Sequence, residues 1–301
     1  MSIISFPNYK ERFERLLTDT TISEVEFDSV IEDLIFQVPL GAMQLEPTPF
    51  LIRTSLLDKN ETCSNVSRCS YVPDLFKNRI SLQRCNLEGQ QVFYASIPGG
   101  MTNFNDGAQP SLMETTMQKI IDEPTFDARQ AAASRWQIKQ QPLFWFLPHY
   151  ADSIKNNENF RFLFTQFDDV LRKTSTNNEQ YQNFTEKLNY LSELFCRNDN
   201  KEKTYKVTAK YYNKVMDLLK PPDSSYDALI YPSANTNGEG MNIVLTKDYL
   251  DKKNIYCDLV VLYSIDRNLN NDKNIRFTPF AQAIPDEFGN LDFKPLDKNM
   301  V

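Results

Sequence analysis

Between about residues 150 and 222 the apolar side chains recur every three or four positions, whereas on either side they come in short continuous runs. ENFRFLFTQFDDVLRK, EQYQNFTEKLNYLSELF and TYKVTAKYYNKVMDLL carry the first pattern. That spacing puts an apolar stripe on one face of each of three helices, and Pro221-Pro222 closes the block. PFLIRTSLL (49–57), VFYASI (92–97) and QAAASRWQI (130–138) read as strands before it; ALIYPS (228–233), MNIVLT (241–246), CDLVVLYSI (257–265) and IRFTPFAQAI read as strands after it. Helices set between two groups of strands predict an α+β chain.

The remaining segments fill in around this frame. Residues 1–46 read as helical: TISEVEFDSVIEDLIFQV has apolar Val25, Val30, Ile31 and Leu34, and Thr21-x-x-Glu24 has capping-box spacing. Pro39 and Gly41 end that section. Residues 58–83, rich in Ser and Asn, read as a long loop. PGGMTNFNDGAQP is crowded with turn residues, and SLMETTMQKIID reads as a helix that opens after it.

Charge and residue counts exclude several chemistries. Thirty-three Lys and Arg against 40 Asp and Glu give a net charge of −7, which speaks against nucleic-acid or membrane binding through bulk positive charge. No run reaches the ~20 apolar residues of a membrane helix, and MSIISFPNYKERFERLL lacks the pattern of a secretory leader. A cytoplasmic protein is expected, so the sequons at Asn60, Asn65 and Asn183 carry no weight. The five cysteines are odd in number and irregular in spacing. Cys63 and Cys69 suggest half a metal site, but no second pair completes it; reduced thiols and no metal are expected.

His149 is the only histidine. A His-dependent nucleophile or a His-rich metal centre would have to use this residue, and it sits in QPLFWFLPHY, a packed aromatic run. No phosphate-binding glycine loop is present either, since Gly238 and Gly240 in NTNGEGMN are too few.

Polar residues beside the strands carry what chemistry remains. Arg53 lies inside an apolar strand, where an arginine is costly unless a carboxylate or a ligand meets it. Arg84 belongs to a cluster with Arg68, Lys77 and Arg79 against Asp74 alone, a net of +3 between Thr62 and Leu87. That cluster is either a solvated loop or an anion site. Glu114 has Ser111 three residues before it, again the spacing of a helix cap. Ser233 ends a strand, where a turn or cap role is the plain alternative.

Taken in order, these residues resemble the RES domain family, named for its arginine, glutamate and serine. The matching segments are LIRTS with Arg53, QRCNLEGQQVFYAS with Arg84 and Tyr94, SLMET with Glu114, and YDALIYPSANTNGEGMNIVL with Ser233. Together they span about residues 49–118 and 226–246. The resemblance implies an ADP-ribosyltransferase-like mixed β core over residues 47–301. Residues 1–46 are then an N-terminal helical extension, and about 150–222 a helical insertion. It also implies a toxin-like enzyme that cleaves the nicotinamide–ribose bond of NAD, as glycohydrolase, phosphorylase or ADP-ribosyltransferase. A helix-turn-helix (Xre-type) antitoxin is the implied partner. A non-catalytic nucleotide-binding or protein-interaction module of the same fold is the alternative. Gln83 stands where the family often has Gly, a departure in the turn that aims Arg84.

The resemblance also implies the roles. Nicotinamide leaves NAD as a neutral molecule without protonation, and the sugar left behind is oxocarbenium-like. Glu114 would stabilise that charge. Arg53 and Arg84 would hold the pyrophosphate, and the Tyr94 ring would pack on nicotinamide or ribose. Ser233 would bond the ribose or orient Glu114. The catalytic set is then Glu114, Arg53 and Ser233, and the NAD-binding set Arg53, Arg84, Tyr94 and Ser233.

Overall fold

The structure, a computed structural model, describes residues 3–44, 50–98, 104–122, 130–147, 155, 158–197, 201–218, 226–233, 240–267 and 275–296. His149, Gly238 and the Pro221-Pro222 stop lie outside the described residues. Two helices, α1 (Phe6–Thr18) and α2 (Glu24–Ile35), precede strands β1 (Ala42–Gln44) and β2 (Leu51–Leu57). Next come β3 (Val92–Ile97), α3 (Phe104–Asp122), β4 (Gln130–Ile138) and β5 (Leu143–Phe146). The helical block is α4 (Glu158–Thr174), α5 (Asn178–Cys196) and α6 (Lys201–Leu218). The chain closes with β6 (Ala228–Pro232), β7 (Met241–Thr246), α7 (Lys247–Asp251), β8 (Ile255–Arg267), β9 (Ile275–Ala283) and β10 (Lys294–Pro295). The class is α+β, and no helix among the described residues is long and apolar enough to cross a membrane.

One sheet runs in the order β1-β5-β6-β7-β3-β2-β4-β8-β9-β10, and only β5 and β6 are parallel. Its pairing is uneven. β3 matches β7 over six residues and β2 matches β4 over seven, but β2 and β3 share one pair, Ile52 opposite Ser96. The sheet is thus two well-zipped halves that splay apart at a single joint.

Each half has its own packing partner. Phe104, Ala108 and Leu112 of α3 bury against Ile52, Ala131, Ala133 and Val261. Gly107 makes the approach possible, because a Cβ there would meet Ile52 and Pro98 at 3.0 and 3.1 Å. The other half packs on the helical layer, with Trp145 stacked on Tyr211 of α6 at 5.8 Å.

The two N-terminal helices pack with the helical block α4–α6. Lys206, Lys210 and Lys214 of α6 pair with Glu24, Asp28 and Glu32 of α2. Such surface pairs add little individually, but their spacing of one helical turn matches the two helices. The buried Lys187 of α5 donates to the carbonyls of Ile4 (2.7 Å) and Gln37 (3.2 Å), fastening both ends of the extension.

Four local expectations need correction. The cap of α2 is Ser23, whose hydroxyl accepts from the Glu26 amide, while Thr21 turns back to Asp19. Val25 is exposed and Phe27 takes the buried place in that helix. The segment 104–110, expected as loop, is helix: α3 begins at Phe104 and carries Pro110 within it, its apolar face held by the sheet. Ser111 and Glu114 therefore sit two to three turns into a helix, and Glu114 is no cap.

Candidate functional site

The joint between β2 and β3 opens into a cavity of about 250 Å³. Strand divergence creates it, since backbones that stop pairing leave a wedge. Arg53 bridges that wedge by donating from Nη1 to the Tyr94 carbonyl at 2.7 Å. Its Nε is buried with no hydrogen-bond partner, and its guanidinium lies 5.2 Å from the centre of the Phe93 ring. Among the described residues no carboxylate pairs with it. Burial, followed by the repulsion of Arg68, pulls it down to about 10, with Cys69 and Tyr94 opposing, so it stays cationic at neutral pH. Arg53 is one of the residues that line the cavity, and a half-buried cation with no carboxylate partner among the described residues suits an anionic ligand.

Glu114 comes down onto the same cavity from α3. Gly107, Ser111 and Glu114 are spaced i, i+4, i+7, so the close approach at Gly107 directs this face at the joint. Thr54 of β2 binds Thr115 and the Ser111 carbonyl, pinning the helix one residue from Glu114. Burial raises the Glu114 carboxyl above its ordinary value, while Asn242, Ser233 and Arg84 favour its charged form. Asn242 donates to Glu114 Oε1 at 2.9 Å. Ser233 Oγ is 1 % exposed without a well-formed hydrogen bond, yet it lies close enough to the carboxylate to favour the charge.

The turn before β3 keeps its shape with Gln83 in it. Gln83 and Asn86 exchange backbone hydrogen bonds at 3.0 and 3.4 Å around Arg84 and Cys85. Gln83 is not among the residues with positive φ, so glycine is not required there. The Tyr94 hydroxyl accepts from the Cys85 amide at 2.8 Å and donates to Asn86 at 3.0 Å. Its polar end is spent on the turn, and Tyr94 is among the residues that line the cavity.

Arg84 also lines the cavity, but part of it is committed elsewhere. Its Nη1 donates to the carbonyls of Phe195 and Arg197 at the end of α5, where a cation meets the negative end of the helix dipole. Tyr205 of α6 lies against its guanidinium at 5.2 Å. Arg84 thus ties the helical layer to the cavity wall. The basic cluster expected around it is dispersed: Arg68 pairs with Glu61, just outside the segment counted, and Arg79 lies over the Phe76 ring.

Arg53, Arg84, Tyr94 and Glu114 all line one cavity, and Ser233 adjoins Glu114. Missed in the sequence were Asn242, Tyr205, Tyr231 and the hydroxyls of Thr54, Ser111 and Thr115. The usable signal was Asn242, one amide in the apolar run MNIVL. Cys63 and Cys69 approach to 3.6 Å, and all five cysteines are free. Among the described residues no group of three or more His, Cys, Asp and Glu is placed to hold a metal.

The raised Glu114 carboxyl makes a stability prediction. The folded state binds its proton more tightly than the unfolded chain, so stability falls as pH rises through the folded pKa. Glu114→Gln removes that charge. Thermal melts are expected to show a higher Tm than the parent at pH 8, with the gap closing as pH falls towards 4.5. A variant less stable at pH 8 would contradict the burial account. Compared with family models, with curated proteins and with solved structures, the chain finds no match.

Proposed function

We propose that this cavity cleaves the bond between nicotinamide and ribose in NAD. One observation carries the reading: the half-buried carboxylate of Glu114 and the half-buried Arg53, which has no carboxylate partner among the described residues, line a single cavity at the sheet joint. The carboxylate suits a developing oxocarbenium ion, and the arginine suits the pyrophosphate attached to it. No general acid is called for, because nicotinamide leaves neutral. The Tyr94 ring, with its hydroxyl engaged elsewhere, supplies a flat apolar wall for nicotinamide or the ribose. The cavity falls just below the ~300–1,000 Å³ of common ligand pockets, a size that suits one end of the dinucleotide.

The ordered set of Arg53, Arg84, Tyr94, Glu114 and Ser233 supports a RES-type enzyme on an ADP-ribosyltransferase-like core. Water, phosphate or a protein side chain would serve as acceptor. As in the family it resembles, a helix-turn-helix antitoxin would be the restraining partner. The engagement of Arg84 with α5 favours a second reading, a module that binds ADP-ribose without turnover.

Expression in a bacterial host separates the two readings. The parent protein is expected to lower cellular NAD and arrest growth, and Glu114→Gln at equal abundance to do neither. NAD unchanged by the parent protein would overturn the enzymatic reading.

A further inference from the structure

Asn242 stands out in the structure more than in the sequence. It is the one amide in a strand whose other inward positions are apolar, and it is 8 % exposed. β7 is flanked on both sides, and Asn242 lies directly opposite Ser96 of β3 and Tyr231 of β6. Residues directly opposite in antiparallel strands share a face. Tyr231, Asn242 and Ser96 therefore form a polar row across the sheet floor, beneath the face of α3 that carries Glu114. Backbone pairing on both sides fixes where the Asn242 amide starts, and burial limits where it can turn.

Among the described residues the side-chain hydrogen bond of Asn242 is the one it donates to Glu114 Oε1 at 2.9 Å. An ionised carboxylate only accepts hydrogen bonds, so an amide N–H fits its charged state. We propose that Asn242 is the positioning residue of Glu114, holding both the aim of the carboxylate and its charge at the cavity. What that carboxylate then does rests on the NAD-cleavage reading; that Asn242 controls it does not.

Among the described residues, Arg84 from the turn, Tyr231 from β6 and Cys196 from α5 are the charged or titratable groups coupled to Glu114. Arg84 remains cationic throughout. Burial lifts the Cys196 thiol to about 12 and the Tyr231 phenol well above its ordinary value. Between pH 4 and about 9, Glu114 is the member of this described cluster that titrates.

The test is a carboxyl-carbon NMR titration of ligand-free protein with ¹³C-labelled glutamate, the Glu114 signal assigned by its loss in Glu114→Gln. In Asn242→Leu the midpoint is expected to rise by about one to two pH units, as for one lost hydrogen bond to a charged group. Should the leucine variant not fold, Asn242→Ala removes the same donor and carries the same expectation. An unchanged or lowered midpoint in a folded variant overturns the proposal. Under turnover the acid limb of the pH–rate profile is expected to move up with it, with KM for NAD close to the parent value. Absence of nicotinamide release from the parent protein would sink the NAD reading and leave the titration result standing.

Discussion

Glu114→Gln is expected to lower NAD turnover by about 10²–10³-fold, the usual cost of losing one group aimed at transition-state charge. The substitution keeps the size of the side chain and its place on α3. Asn242 still finds an oxygen to donate to, and Thr54 still holds the helix beside it. What disappears is the negative charge facing the ribose as nicotinamide departs. Because that charge interacts more strongly with the oxocarbenium ion than with NAD, the loss belongs in kcat, with KM little changed. Steady-state nicotinamide release across a range of NAD concentrations separates the two constants. A loss confined to KM would assign Glu114 to binding alone.

Arg53→Met should act on the opposite constant. Methionine keeps an apolar stem in the buried strand and removes the guanidinium. A charge-assisted hydrogen bond contributes roughly 1.5–3 kcal/mol, so affinity for ADP-ribose is expected to fall by about 10- to 150-fold. Arg53 also ties β2 to the Tyr94 carbonyl across the splayed joint. Arg53→Lys is the informative companion: it retains charge and loses the planar fork that matches phosphate oxygens. Calorimetric titration with ADP-ribose is expected to rank the parent first, lysine second and methionine last. Equal affinity in all three would reduce Arg53 to a strand tie.

Local pattern predicted elements well where an apolar run or stripe is long enough to stand out. VFYASI matches β3 residue for residue, and the three amphipathic helices appear where their apolar spacing puts them. β5 was not read because LFWF is a four-residue strand inside a longer aromatic run bounded by Pro142 and Pro148, without the length that announced β6 and β7. The two capping boxes misled for one reason: Ser or Thr three residues before Glu recurs by chance. Which instance starts a helix is decided by packing, at α2 by Ser23 and at α3 by the apolar face that begins at Phe104.

The site was half legible. Arg53 signalled itself as a charge in an apolar strand, and the missing carboxylate beside it is a fact only the fold supplies. The basic cluster dissolved because Arg68 pairs with Glu61, and Arg84 reaches across 111 positions to Phe195. Tyr205 read as part of a helix stripe and Tyr231 as part of a strand, and both turn out to be cavity wall. The contacts of Arg84 and the walls of the cavity join distant segments, and no window along the chain contains both partners.

The most direct test of the account is nicotinamide release from NAD by the purified parent protein, run in parallel with Glu114→Gln, in buffer with and without phosphate and with added protein acceptors. Release by the parent under at least one condition, reduced about 10²–10³-fold in the variant, is the predicted result. No release by the parent under any of them, or equal release by both proteins, would contradict it.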